Sequence, residues 1–196
     1  MASFIPHYII STKVLKNFDY NYNYNDFILG NLLPDADDGT DDNHAYSHFR
    51  NKIDGKYEKF SNLKIFKDKY YPYFDNSLVI GYYCHLLSDT IWRQQRPENP
   101  PHADEISFKR EFHNDFVKLN KILIEYYKLD TPAKLTIPDS ILITEIDRQN
   151  IPKMINGFSS QFESKITGEL NIITLDFILN YIDNAIKSCI ENLRTV

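Results

Sequence analysis

The chain has 196 residues, 42% of them hydrophobic and 14% aromatic, and a formal net charge of −5. That length fits one domain with a sizeable core, and the acidic balance argues against broad nucleic-acid binding, which needs a basic footprint. No segment reaches the length of a membrane span and the first residues show no basic region followed by a long apolar core, so the expected location is the cytoplasm.

Ser3 is placed to cap a first helix over residues 4–16, with Pro6 tolerated in its opening turn and His7 near its start. Residues 17–25 alternate Asn with Tyr and predict a polar aromatic loop. Asp26 is the expected cap of a short apolar helix over 27–33, which stops at Pro34-Asp35. Residues 36–42 hold four Asp and one Gly and predict a loop. His44 and His48 follow, four apart, so a short helical turn points both the same way.

Residues 52–74 predict a basic, aromatic connection. Asn76 then caps a central helix over 77–94 that is apolar nearly all round, the mark of a helix buried in a bundle. Cys84 lies within it and Cys189 on the apolar stripe of the last helix, so both predict small buried thiols in a reducing compartment. A Pro-rich loop over 97–101 ends the central helix. Phe108, Phe112, Phe116, Leu119, Leu123 and Tyr126 recur at helical steps and predict a helix over 104–129. Another is predicted over 139–155, and a last one begins at the cap Thr174. Strand patterns are almost absent, so the expected fold is an all-α, single-domain multi-helix bundle spanning residues 1–196.

Chemistry concentrates in the central helix, where His85 and Asp89 stand one turn apart on one face in an apolar run. One reading is a buried histidine hydrogen-bonded to a carboxylate. The other is a pair of metal ligands, favoured because an unpaired buried Asp is costly without a cation. Gly81, one turn earlier, is expected to leave space beside His85. Asp35, delivered by an apolar helix directly after Pro34, and His48 are further candidate ligands. His44 is either a ligand or a pocket-lining residue. His7 is a further candidate ligand. His102 and His113, with Asp115 beside the latter, are candidates for the site or its pocket that each read by themselves as structural or surface residues rather than ligands. Tyr82, Trp92 and Arg93 are expected to line the substrate pocket. There is no phosphate-cradling glycine loop, zinc-finger Cys pair or Gly-x-Ser-x-Gly turn.

Taken in order, His7, then Gly30-Asn31-Leu32-Leu33-Pro34-Asp35, then His48-Phe49, then Gly81-Tyr82-Tyr83-Cys84-His85-Leu86-Leu87-Ser88-Asp89 resemble the zinc-dependent phospholipase C family. That family shares an all-helical fold with the single-strand-specific zinc nucleases. The resemblance implies that His7, Asp35, His48, His85 and Asp89 are zinc ligands and that Asp35 is also a bridging or base carboxylate. The family's downstream His-x-x-x-Glu pair has no match, since Ile106 and Val117 stand four residues after His102 and His113. Asp115 is the substitute carboxylate that the sequence offers.

The implied activity is hydrolysis of a small phosphate ester or phospholipid-like substrate by water activated at two or three zinc ions, or another divalent metal. Two rival expectations stand beside it. One is a helical binding or scaffold module with a structural metal site, and the other a hydrolase of nucleotides or non-phosphate esters.

Overall fold

The polypeptide folds around a nearly all-buried helix, α5 (Ser77–Gln95), whose inward residues run from Leu78 to Trp92. The structure, a computed structural model, describes residues 3–18, 21–98, 100, 104–132 and 134–195. The other long elements are α1 (Phe4–Asn17), α2 (Tyr24–Leu32), α6 (Glu105–Tyr127), α7 (Ile151–Glu163) and α8 (Leu175–Leu193). Two shorter helices, α3 (Asp41–Ser47) and α4 (Leu63–Tyr70), lie between α2 and α5. The expectation of an all-α fold holds. The strands found among the described residues are a two-residue hairpin pair, β1 (Lys52–Ile53) and β2 (Lys56–Tyr57).

Local chemistry accounts for most helix starts. Asn76 accepts from the amides of Leu78 and Val79, and Thr174 from that of Phe177. Such caps satisfy amides that a helix start leaves free. Three expectations are corrected. Asn23, not Asp26, caps α2, which therefore begins at Tyr24 inside the predicted loop. Ser3 precedes α1 without capping it, because its hydroxyl lies 2.6 Å from both Asn120 Oδ1 and Gln161 Oε1. The segment 52–74 holds the hairpin and α4 rather than a plain connection.

The predicted helix over 139–155 is displaced to Ile151–Glu163, after a 3-10 turn at Arg148–Asn150. Pro152 explains the shift, since proline fits a helix's first turn but breaks its interior. Arg148 reaches back from that turn to the carbonyls of Pro138 and Asp139, holding residues 139–147 in irregular form.

The closest packing in the fold is the crossing of α2 on α5. A Cβ added at Gly30 would collide with the Leu78 carbonyl, and one at Gly81 with the Phe27 carbonyl. The two glycines thus let the backbones touch. This corrects the expectation for Gly81, whose missing side chain admits α2 rather than opening space beside His85. Asn31 seals the crossing by donating from Nδ2 to the Gly81 carbonyl at 3.0 Å. Both cysteines are buried and free, as expected. No helix among the described residues is long and apolar enough to cross a membrane.

Candidate metal centre

Four elements bring His7, Asp35, His48, His85 and Asp89 into one buried cluster. His7 comes from the first turn of α1, and its ring stacks on that of His85 with centroids 4.1 Å apart. Asp35 ends a 3-10 turn in which Pro34 stops α2 from continuing, and Ser47 of α3 pins that turn by donating to the Pro34 carbonyl at 2.8 Å. His85 and Asp89 project from α5.

His48 terminates α3. After it, Phe49 adopts φ of 53° while the amides of Phe49 and Arg50 reach back to the carbonyls of Tyr46 and Ala45. This is a Schellman ending with an aromatic residue in the left-handed position that glycine ordinarily takes. Phe49 holds that conformation because its ring is buried edge-on against Phe66, Tyr70 and Tyr82. The strained turn thereby fixes the ring of His48.

The imidazole orientations follow from what each Nδ1 touches. His85 Nδ1 lies 2.7 Å from the Asn31 carbonyl and His48 Nδ1 2.8 Å from the His44 carbonyl. A carbonyl only accepts, so both Nδ1 atoms carry the proton. Ser88 donates its hydroxyl to the His85 carbonyl at 2.8 Å, leaving its oxygen to accept from His7 Nδ1 at 3.2 Å. All three rings therefore present an unprotonated Nε2 to the centre.

There the donors crowd. His48 Nε2 is 3.2 Å from His85 Nε2, 3.5 Å from Asp35 Oδ1 and 3.6 Å from Asp89 Oδ2. His7 Nε2 is 3.7 Å from Asp89 Oδ1, and His85 Nε2 is 4.0 Å from Asp35 Oδ1. His7 Nε2 and all four carboxylate oxygens of Asp35 and Asp89 are buried without a hydrogen-bond partner among the described residues. Three overlapping triads, His7/Asp35/His85, Asp35/His44/His48 and His48/His85/Asp89, each place donor atoms within 4.8 Å of one another.

Burial governs the charges. It pushes His7, His48 and His85 below the ordinary imidazole value, His48 to about 3, so the rings are neutral. Burial also raises Asp35 to about 6 against the opposing pull of His85. For Asp89 burial acts upward too, but the three imidazoles and the Arg93 guanidinium outweigh it and hold the carboxyl well below its usual range. At neutral pH two carboxylates thus share a buried space with Arg93 Nη2, 3.8 Å from Asp89 Oδ2. Neutral imidazoles, ionised carboxylates and orphaned lone pairs fit a borderline divalent cation such as zinc.

The remaining candidates divide. His44 sits beside the cluster, its ring 3.9 Å from that of His48, and its Nδ1 lies 2.8 Å from Asp37 Oδ2. His113 is exposed on α6, away from the cluster. Asp115 is buried, but its carboxylate accepts the amides of Asn171, Ile172 and Ile173 and so anchors the approach to α8. His102 lies outside the described residues. Tyr82 and Trp92, expected at the substrate, are core residues instead. Tyr82 donates to the Ser47 carbonyl, and Trp92 packs on Phe116 and Tyr181.

Sequence reasoning passed over Asn31 and Ser88, which orient the imidazoles of His85 and His7, and Ser47, which pins the turn that carries Asp35. Ser88 and Asn31 stand inside the quoted motifs, so their positions were visible while their partners were not. Comparison with curated proteins and with solved structures finds no match. The family model for zinc dependent phospholipase C matches residues 6–167, which takes in all four segments of the cluster. The chain belongs to the zinc-dependent phospholipase C family.

Proposed function

We propose that this protein hydrolyses phosphate esters at a zinc centre held by His7, Asp35, His48, His85 and Asp89. The observation that carries this is the convergence of His7 Nε2 and the four carboxylate oxygens of Asp35 and Asp89, all buried without a partner among the described residues, on His48 Nε2 and His85 Nε2, which approach to 3.2 Å with their lone pairs facing. Three imidazole nitrogens and four carboxylate oxygens suffice for two ions with positions left for water and substrate, and His44 offers a further nitrogen. Zinc bound there supplies charge for the phosphate oxygens and lowers the pKa of a coordinated water toward about 7.

The protein's own groups perform the rest. Asp35, raised to about 6, is matched to accept a proton from the attacking water at either of its unpartnered oxygens. Arg93, which touches Asp89 from the next turn of α5, is placed to hold a phosphate oxygen. The Nδ1 anchors on Asn31, His44 and Ser88 keep each Nε2 aimed inward and prevent ring rotation.

The test is zinc content of protein purified without added metal, then activity of the loaded protein on phosphodiester and phosphomonoester panels. One or more zinc ions per chain and hydrolysis of one class are expected. Less than one ion per chain, with no activity after loading, overturns the proposal. The burial of all five side chains also fits a closed structural site in a binding module. Loss of activity in a folded Asp35→Asn protein that retains zinc rejects that second reading.

A further inference from the structure

Beyond the cluster, α5 carries a second row of chemistry. Asp89, Arg93 and Arg96 follow at steps of four and three, so they stack along one face of the helix and its C-terminal cap. Seven residues at the helical rise put Arg96 about 10 Å beyond Asp89. Arg96 lines a cleft of about 580 Å³ with Lys109, His113 and the row Phe108, Phe112 and Phe116 from α6.

Both arginines have an Nε left unpartnered among the described residues. These Nε atoms are buried, a costly state for a charged donor without an acceptor. Of the carboxylates that line the cleft, Glu105 lies 2.6 Å from Lys109 and Glu98 3.5 Å from Lys59, and neither pairs with Arg93 or Arg96 among the described residues. Asp89 is the one carboxylate that Arg93 approaches among the described residues, and it faces the metal centre. The row is therefore short of anions. Its apolar wall is continuous: Phe108 stacks on Phe112 at 5.7 Å, Phe112 meets Phe116 edge-on at 5.4 Å, and the core residue Trp92 packs behind Phe112 and Phe116.

We propose that Arg96 binds a second anionic group of the substrate, separate from the phosphate that is hydrolysed beside Arg93. The preferred substrate is then a phosphate ester with two negative groups, joined by an apolar or aromatic body that lies along the Phe108, Phe112 and Phe116 wall. This rests on the zinc-hydrolase reading, because the hydrolysed phosphate is taken to sit at the centre beside Asp89. A cationic group in place of the second anion meets Arg96 and is rejected by like charge.

Three probes with the same six-carbon body test the proposal by calorimetry on zinc-loaded protein: hexane-1,6-bisphosphonate, hexylphosphonate and 6-(trimethylammonio)hexylphosphonate. The bisphosphonate is expected to bind about tenfold tighter than hexylphosphonate, as one charge-assisted contact predicts, and the cationic probe most weakly. Arg96→Gln should erase that advantage while hexylphosphonate binding and zinc content stay unchanged, and Arg96→Lys should restore part of it. Equal binding of the three probes, tightest binding of the cationic one, or an advantage that survives Arg96→Gln overturns the proposal. Zinc content below one ion per chain, with the Arg96-dependent advantage intact, would sink the zinc-hydrolase reading and leave the anion site standing.

Discussion

His48 Nε2 and His85 Nε2 lie 3.2 Å apart, and both rings have their Nδ1 protons committed to backbone carbonyls, of His44 and of Asn31. Two lone pairs held face to face repel unless a cation lies between or beside them. Zinc binding should therefore stabilise the protein strongly. At a free zinc concentration a hundredfold above Kd the gain is about 2.7 kcal/mol, so chelation should lower Tm by several degrees. Scanning calorimetry with zinc and with chelator checks this, and an unchanged Tm would count against the centre. His85→Ala should abolish the zinc-dependent part of the shift.

Asp35 supplies the pH dependence. Burial raises its folded pKa to about 6, above the unfolded value, so the metal-free protein takes up a proton there as pH falls through about 6. That proton must leave when zinc binds. Zinc affinity should consequently fall as pH drops below about 6, and binding near pH 6 should release protons. Calorimetric titrations in buffers of different ionisation enthalpy measure that release directly. Asp35→Asn should keep the fold, lose proton release and lower the hydrolysis rate by on the order of 10²–10⁴-fold.

Asp115 is a structural carboxylate and should behave as one. Its oxygens accept the amides of Asn171, Ile172 and Ile173 at 2.6 to 3.0 Å. Burial opposes ionisation, but these amides and Lys118 prevail and depress its folded pKa below the unfolded value. Its stabilisation is therefore present above an unfolded pKa of about 3.9 and is lost as pH falls below that value. Asp115→Ala should cost about 2–4 kcal/mol in urea unfolding at pH 7, since three buried amides lose a charged acceptor, with zinc content unchanged. A loss of zinc in that variant would instead place Asp115 in the metal centre.

The contact of α2 with α5 should link fold and site. Gly81→Ala drives a Cβ into the Phe27 carbonyl, where backbone cannot yield cheaply. A loss of about 1–3 kcal/mol or more is expected from such overpacking. Because Asn31 both seals the crossing and orients His85, zinc affinity should fall as well. Unfolding curves and zinc titrations of Gly81→Ala and Gly30→Ala test both effects, and wild-type zinc affinity in a destabilised variant would uncouple them.

Much of this was legible in the primary structure because it is local. The spacing of His85 and Asp89, the stop at Pro34-Asp35, the caps at Asn76 and Thr174 and the phenylalanine period of α6 each depend on neighbours within a turn or two. The start of α7 is local as well, because Pro152 fits the first turn of a helix and not the interior of one over 139–155. The burial of Tyr82 and Trp92 is not legible locally, because residue type alone does not tell a core aromatic from a pocket wall.

The sequence by itself determined the helical class and named the five side chains of the cluster. Their order along the chain and the one-turn spacing on α5 follow from covalent connectivity and helical geometry. Only the tertiary structure decided that they meet, which nitrogen of each ring faces inward, and that Asp115 ties down a loop instead of joining them. Those outcomes depend on contacts between residues far apart in the chain: Asn31 on His85, Ser88 on His7, and Phe49 held in a left-handed turn by Phe66 and Tyr82. Such contacts exist once Gly30 and Gly81 let α2 and α5 close, because packing of whole helices then positions each atom to within ångströms.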